Sequence, residues 1–263
     1  MHGRSRSPIK ANSIFITGTD TGVGKTMVAA AILSVLRGRG IDAVPMKPIQ
    51  TGCTSRNGLL TAPDLKFSLA AAGLKPDRSE MIHLAPYRFR PACSPHLAAR
   101  LARRTISTDV ISRHFAILQA SHDFVVIEGA GGVLVPIGPG QTMLDVMRKL
   151  GSPVILVARP GLGTINHTLL SLRALRGAGL DVAGVVFNEA TPGPHSYIEK
   201  DNIDAVSRHG KVRILGSLPF MPGRNTQNRR GQAFRKWAGS NLDVRAICAG
   251  LPGDIKKAPD RQQ

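Results

Sequence analysis

The sequence predicts an α/β fold: a mainly parallel β-sheet with helices on both faces, three layers in all. Three observations predict it. Short β-branched runs alternate with helical stretches, the order that a parallel sheet with right-handed crossovers requires. Those runs are apolar throughout rather than alternating, as strands buried on both faces are. The first of them passes through a glycine-rich loop straight into a helix.

Taken in order, residues 1–12 read as a basic extension carrying Arg4, Arg6 and Lys10. "SIFIT" (13–17) is the first strand and opens a domain placed over 13–223. It runs into "TGTDTGVGKT" (17–26). A phosphate-binding loop reads G-x-x-x-x-G-K-[ST], and Gly18 stands one residue too early for Gly24, so this loop is longer by one. Its context is intact: a strand before it, and "KTMVAAAILSVLRGRG" after it, read as a helix with an apolar stripe. Successive backbone N–H groups from Thr21, Gly22, Val23 and Gly24 through Met27 can surround phosphate oxygens at the helix start. Lys25 would reach the terminal phosphates and Thr26 would offer its hydroxyl to Mg²⁺. The expected architecture is therefore a P-loop NTPase-like three-layer sandwich.

"AVPMK" (43–47) is the second strand and leaves Lys47 at its end, before a proline that keeps the chain extended. A lysine there can stabilise charge on a transferred phosphoryl group, although a lone lysine is more often a solvated charge. Thr51 and Gly52 follow as a small-substrate loop. Asp64, in "TAPDLKF", precedes a helix and reads equally as its N-cap or as a metal ligand. "HLAARLA" and "TDVISRHFAILQA" are helices. "DFVVIEG" (123–129) is a buried strand ending in Glu128, in the manner of a metal-binding acid, and Gly129, Ala130, Gly131 and Gly132 leave room for a ligand.

"PVILVAR" (153–159) leads to "RPGLGTINHTLLSL", a second glycine-rich strand-to-helix turn whose free N–H groups favour an anion. His167 there is given no catalytic role. "VAGVVFN" (182–188) ends in Asn188, which could read an adenine edge or simply make a turn. "VRILGSL" (212–218) is the last strand. Residues 224–263 are polar, basic and weakly periodic, with nine basic and three acidic side chains; they read as a partly ordered extension, with "NLDVRAICAGL" able to form a short helix.

The chain has 263 residues and a formal net charge of +18. Its arginines are scattered and aromatics are only 4% of residues, so base-stacking surfaces are scarce and nucleic acid is not an expected partner. The charge suits small anionic substrates instead. Cys53, Cys93 and Cys248 are widely spaced without a C-x-x-C pair, which argues against a zinc ribbon or redox pair and suits reduced thiols. No apolar run reaches membrane-spanning length. A cytoplasmic protein without membrane contact is expected.

"TGTDTGVGKT", "KPIQTG", Asp64, "SPHLAA", "VIEGAGG", "GLGTINHTLL" and "NEATP" occur in that order. Together they resemble dethiobiotin synthetase over roughly residues 13 to 221. The longer loop is a feature of that family. The resemblance implies a homodimeric cyclo-ligase that uses ATP, Mg²⁺ and CO₂ to close a ureido ring on 7,8-diaminononanoate, through a carbamate and a carbamic-phosphoric anhydride. By motif, Thr26, Asp64 and Glu128 would hold Mg²⁺, and Lys25 and Lys47 would stabilise the transferred phosphoryl. Thr51 would touch the diamine. Asn188 and Glu189, with Leu218, Pro219 and Phe220, would frame the adenine. Gly163, Thr164, Ile165 and Asn166 would receive the substrate carboxylate across the dimer interface.

Two departures stand out. Some members carry Glu where this chain has Gly22, so any nucleotide contact by that carboxylate is absent. Residues 224–263 have no counterpart in the shorter members. Two other P-loop classes compete. An amidase-type ligase would need an ammonia source, and no second domain supplies one. A ParA- or MinD-like regulatory ATPase would carry a lysine early in the loop, where "TDTGVGKT" has none.

Overall fold

A computed structural model describes residues 12–56, 58–192, 197–221 and 231–248. Most of the N-terminal extension and parts of the C-terminal one therefore lie outside the described residues.

The central sheet has six strands: β1 (Ser13–Gly18), β2 (Ala43–Met46), β3 (Phe124–Glu128), β4 (Val154–Ala158), β5 (Val182–Asn188) and β6 (Ile214–Leu218). Their order across the sheet is β6-β5-β4-β1-β3-β2, and every pairing is parallel. The chain crosses to one side of β1 for β2 and β3, then to the other side for β4 onward. Loops that leave the carboxyl ends of β1 and its neighbours thus surround the crevice where such sheets bind ligands.

The helices are α1 (Lys25–Gly38), α2 (Pro63–Ala72), α3 (Arg78–Leu84), α4 (Pro95–Leu101), α5 (Thr108–Ser121), α6 (Met143–Leu150), α7 (Thr164–Gly177), α8 (Tyr197–Gly210), α9 (Gln232–Asn241) and α10 (Val244–Cys248). Short strand pairs at Ile49–Gln50 with Tyr87–Arg88, Thr54–Arg56 with Leu59–Thr61, and Pro136–Gly138 with Gln141–Thr142 shape the loops. Two apolar clusters fill the layers. Phe15, Val125, Ile127, Leu156 and Phe187 face α5, α6, α7 and α8. Ile14, Ile16, Val126, Val157 and Val186 face α1.

The sequence suggested an apolar stripe on α1, but the helix is buried around most of its circumference, from Met27 through Leu36. An all-round apolar helix needs a cover on its outer side. Helices α2 and α9 supply it, with Phe234 and Ala238 of α9 packed into the α1 cluster. Gly216 in β6 makes this docking feasible: at φ +147°, a Cβ there would lie 2.1 Å from the carbonyl oxygen of Asn241. The Gly216–Leu242 bridge fastens the segment to the sheet edge.

Candidate active site

The loop between β1 and α1 turns through left-handed residues at Gly22 and Gly24. Gly24 is the N-cap of α1 at φ +102°, and a side chain there would strike the Asn188 amide at 2.1 Å. Asn188 is 1% exposed and donates through Nδ2 to the carbonyl of Val23 at 3.1 Å. The end of β5 therefore pins the loop from behind. Lys25, 7% exposed, folds back so that Nζ donates to the carbonyl of Asp20 at 2.7 Å.

Lys47 leaves β2 beneath this loop. It is 4% exposed, and its ammonium lies 2.7 Å from Glu128 Oε1, 2.8 Å from Asp64 Oδ2 and 3.1 Å from the carbonyl of Gly129. Thr26 donates its hydroxyl to the same Glu128 Oε1 at 2.7 Å. Elements scattered over 103 residues of sequence, 26 to 128, thus meet at one point, because β1, β3 and β2 lie side by side in the sheet, with β2 at its edge. Asp64 is not the N-cap of α2; Ala62 is, and the carboxylate faces Lys47.

The charges do not all settle the same way: at Glu128 burial, helped by the neighbouring charge of Asp64, outweighs Lys47 and the Thr26 hydroxyl and pushes the carboxyl above its usual range. Burial works against the Lys47 ammonium, yet Glu128 and then Asp64 outweigh it and hold its pKa above the ordinary lysine value. Burial likewise opposes the Asp64 carboxylate, and Lys47 overcomes it, keeping that pKa below the usual range. Lys25 goes the other way, down to about 8, first through burial and then through the nearby charge of Lys47, only partly offset by Glu128, Asp64 and Asp20. The two lysines therefore face one space. That space is a cleft of about 500 Å³ lined by Thr21, Gly22, Gly24, Lys25, Thr26, Met27, Lys47, Thr51, Asp64, Glu128, Ala130 and Gly131, with Ile49, Gln50, Pro63 and Phe67.

Thr21 and Gly22 also border a second hollow of about 340 Å³, shared with Arg159, Pro160, Asn188, Glu189 and Glu199. Phe220 donates its backbone N–H to Glu189 Oε2 at 3.4 Å, and the N–H of Glu189 donates to the carbonyl of Leu218 at 2.9 Å. Pro219 and Phe220 are half-buried at this rim, whereas the side chains of Leu218 and Val23 are fully buried in the α1 cluster.

Comparison with known proteins gives this geometry a family. A model of the AAA domain family matches residues 12–228. An ATP-dependent dethiobiotin synthetase of Halalkalibacterium halodurans is 38% identical over 230 residues, 86% of this chain and 93% of that protein. One from Anaeromyxobacter dehalogenans strain 2CP-1 is 44% identical over 210 residues, 80% of this chain and 90% of that protein. The chain belongs to the dethiobiotin synthetase family. It is an enzyme of the ligase type. Its fold is shared more widely: the MinC–MinD cell division complex of Aquifex aeolicus superposes with a TM-score of 0.57 at 14% identity, covering 91% of this chain and 96% of that one.

Not every residue expected in a dethiobiotin synthetase site gathers in the main cleft. Gly163, Thr164, Ile165 and Asn166 form the start of α7, beside a small hollow of about 150 Å³ bounded by Thr19, Arg159, Gly161, Leu162, Thr164 and His167. Gly163 and Asn166 are exposed there and Leu162 is 96% exposed. Sequence reasoning passed over Gln50, which borders the main cleft, and Arg159 and Glu199, which border the second hollow. A polar residue four places after the end of a buried strand was the available signal for Gln50. Glu199 gave none, because it comes from the polar helix α8. Among the described residues, no helix is long and apolar enough to cross a membrane.

Proposed function

We propose that the protein joins 7,8-diaminononanoate, CO₂ and ATP to give dethiobiotin, ADP and phosphate. The observation that carries this reading is the convergence of Lys25, Lys47, Thr26, Asp64 and Glu128 on one cleft, within a chain of this family. CO₂ adds to one substrate amine, which loses a proton, giving a carbamate. A carbamate oxygen attacks the γ-phosphorus and the bond to ADP breaks. The second amine attacks the carbonyl carbon of the resulting anhydride, and phosphate leaves as the ring closes.

No covalent intermediate with the protein is required. The chain's task is to orient reactants and to stabilise charge, which for phosphoryl transfer is most of catalysis. The backbone of the β1–α1 loop and Lys25 receive the phosphates. Lys47 projects into the same space with its ammonium charged, placed to meet the charge that spreads over the transferred phosphoryl and the carbamate. Thr51, which lines the same cleft, would border the diamine.

Thr26 Oγ1, Glu128 Oε1 and Asp64 Oδ2 form a convergent set of oxygen donors around the Lys47 ammonium. Among the described residues no cluster of three or more His, Cys, Asp or Glu forms a cage of its own. A hydroxyl and two carboxylates, completed by substrate phosphates, fit Mg²⁺, which keeps few protein ligands. When bound there, Mg²⁺ would neutralise phosphate charge. The start of α7, with its exposed Leu162, fits a surface where a second copy completes the site for the substrate carboxylate. The protein is read as acting in the cytoplasm on these small molecules.

The reading is tested by the dependence of ADP release on the acceptor. ADP should form only when diamine and bicarbonate are both present. ADP release that ignores the diamine would place the chemistry elsewhere.

A further inference from the structure

Gln50 lines the cleft wall beside Asp64, and its amide is engaged at both ends. It is 4% exposed at the end of the short strand Ile49–Gln50. Its Oε1 accepts the backbone N–H of Asp64 at 3.2 Å, and its Nε2 donates to Asp64 Oδ2 at 3.1 Å and to the carbonyl of Thr51 at 3.0 Å. The backbone N–H of Asp64 can only donate, so it fixes which end of the amide is oxygen. The NH₂ group must then face the carboxylate.

The same contact solves a problem at the start of α2. Its N-cap is Ala62, which has no side-chain acceptor for the first-turn N–H groups, and Pro63 follows. Gln50, fourteen residues earlier, accepts one of those N–H groups from outside the helix. Asp64 is thus held twice by one side chain, at its backbone and at its carboxylate, while Oδ2 reaches Lys47 at 2.8 Å.

We infer that Gln50 is the positioning residue of the metal and phosphoryl site, clamping Asp64 in the orientation that divalent-cation binding needs. This rests on the reading that Thr26, Asp64 and Glu128 hold Mg²⁺. Gln50 itself touches neither cation nor phosphate; it acts through Asp64. It also ties Asp64 to Thr51, so the metal side and the diamine side of the cleft share one fixed amide.

The test is a Mn²⁺ titration of the full chain with ADP, reading free Mn²⁺ by electron paramagnetic resonance, for wild type, Gln50→Met, Gln50→Ala and Asp64→Asn. Outer partners of metal ligands typically matter by about 10–100-fold in affinity. Both Gln50 variants should bind Mn²⁺ at least about tenfold more weakly, while ADP binding in EDTA stays at the wild-type level. Unchanged Mn²⁺ affinity in the Gln50 variants beside a loss in Asp64→Asn would overturn the inference and leave Gln50 as a helix cap. Equal loss of ADP binding in EDTA would also overturn it, as general damage. Unchanged Mn²⁺ affinity in Asp64→Asn would instead remove the metal reading on which it rests.

Discussion

The cleft floor and the start of α7 make an instructive pair. Both are polar and both sit at the carboxyl edge of the sheet. At the floor, Lys47 is 4% exposed and bound by two carboxylates and a carbonyl from its own chain. At α7, the helix begins at Gly163 with no side-chain cap, beside Leu162 at 96% exposure. The first region is finished by the fold of one chain. The second presents uncapped N–H donors and an exposed apolar tip together, the surface proposed above to be completed by a second copy. On the proposed reading, chemistry and substrate capture are built at different levels of assembly.

Breaking the floor should have the largest effect. Lys47→Ala should lower kcat by about 10²–10³-fold, the usual consequence of losing one preorganised charge partner, with nucleotide binding retained by calorimetry. Near-normal turnover would take Lys47 out of the chemistry. Breaking the other region should act through assembly. Leu162→Asp would place a charge in the proposed contact between copies, where desolvation is costly; sedimentation should show monomers, with turnover reduced by about tenfold or more. A dimer of unaltered activity would make Leu162 an ordinary exposed leucine.

A smaller effect sharpens the comparison within the floor. Lys25 has a pKa of about 8 in the free protein, lowered chiefly by burial and by Lys47. Below that pH it is charged; above it, the free protein has lost the proton. Bound polyphosphate favours the charged form, so binding should take up about half a proton near pH 8, and nucleotide affinity should fall as pH rises past that point. Calorimetry in buffers of different ionisation enthalpy reads this directly, and zero uptake would show that Lys25 does not meet the phosphates. The least effect on the site should come from Phe234→Ala in α9, which ought to cost about 3–5 kcal/mol of stability. Turnover per folded molecule should be unchanged, since the packing of α9 lies behind α1; denaturant melts beside active-site titration check it.

All six central strands were legible in the sequence, because parallel strands buried on both faces leave continuous apolar runs such as "DFVVIEG" and "PVILVAR". The β1–α1 loop was legible from its glycines and its Lys-Thr pair. The polar helices were not: α8 and α9 bury only a few residues each, and their apolar positions are too sparse to stand out from loop. Side-chain partnerships were also hidden. Lys47 reads as a possible surface charge until β1, β2 and β3 are placed side by side, and Asp64 reads as a helix cap until Ala62 is found in that position. Gln50 lay inside a quoted motif, but its meaning depends on a contact with α2 that no local pattern encodes.

The most direct measurement is product analysis by mass spectrometry after incubation with ATP, Mg²⁺, 7,8-diaminononanoate and ¹³C-labelled bicarbonate. The account predicts dethiobiotin bearing the heavy carbon, formed in step with ADP. ADP without labelled dethiobiotin would contradict it.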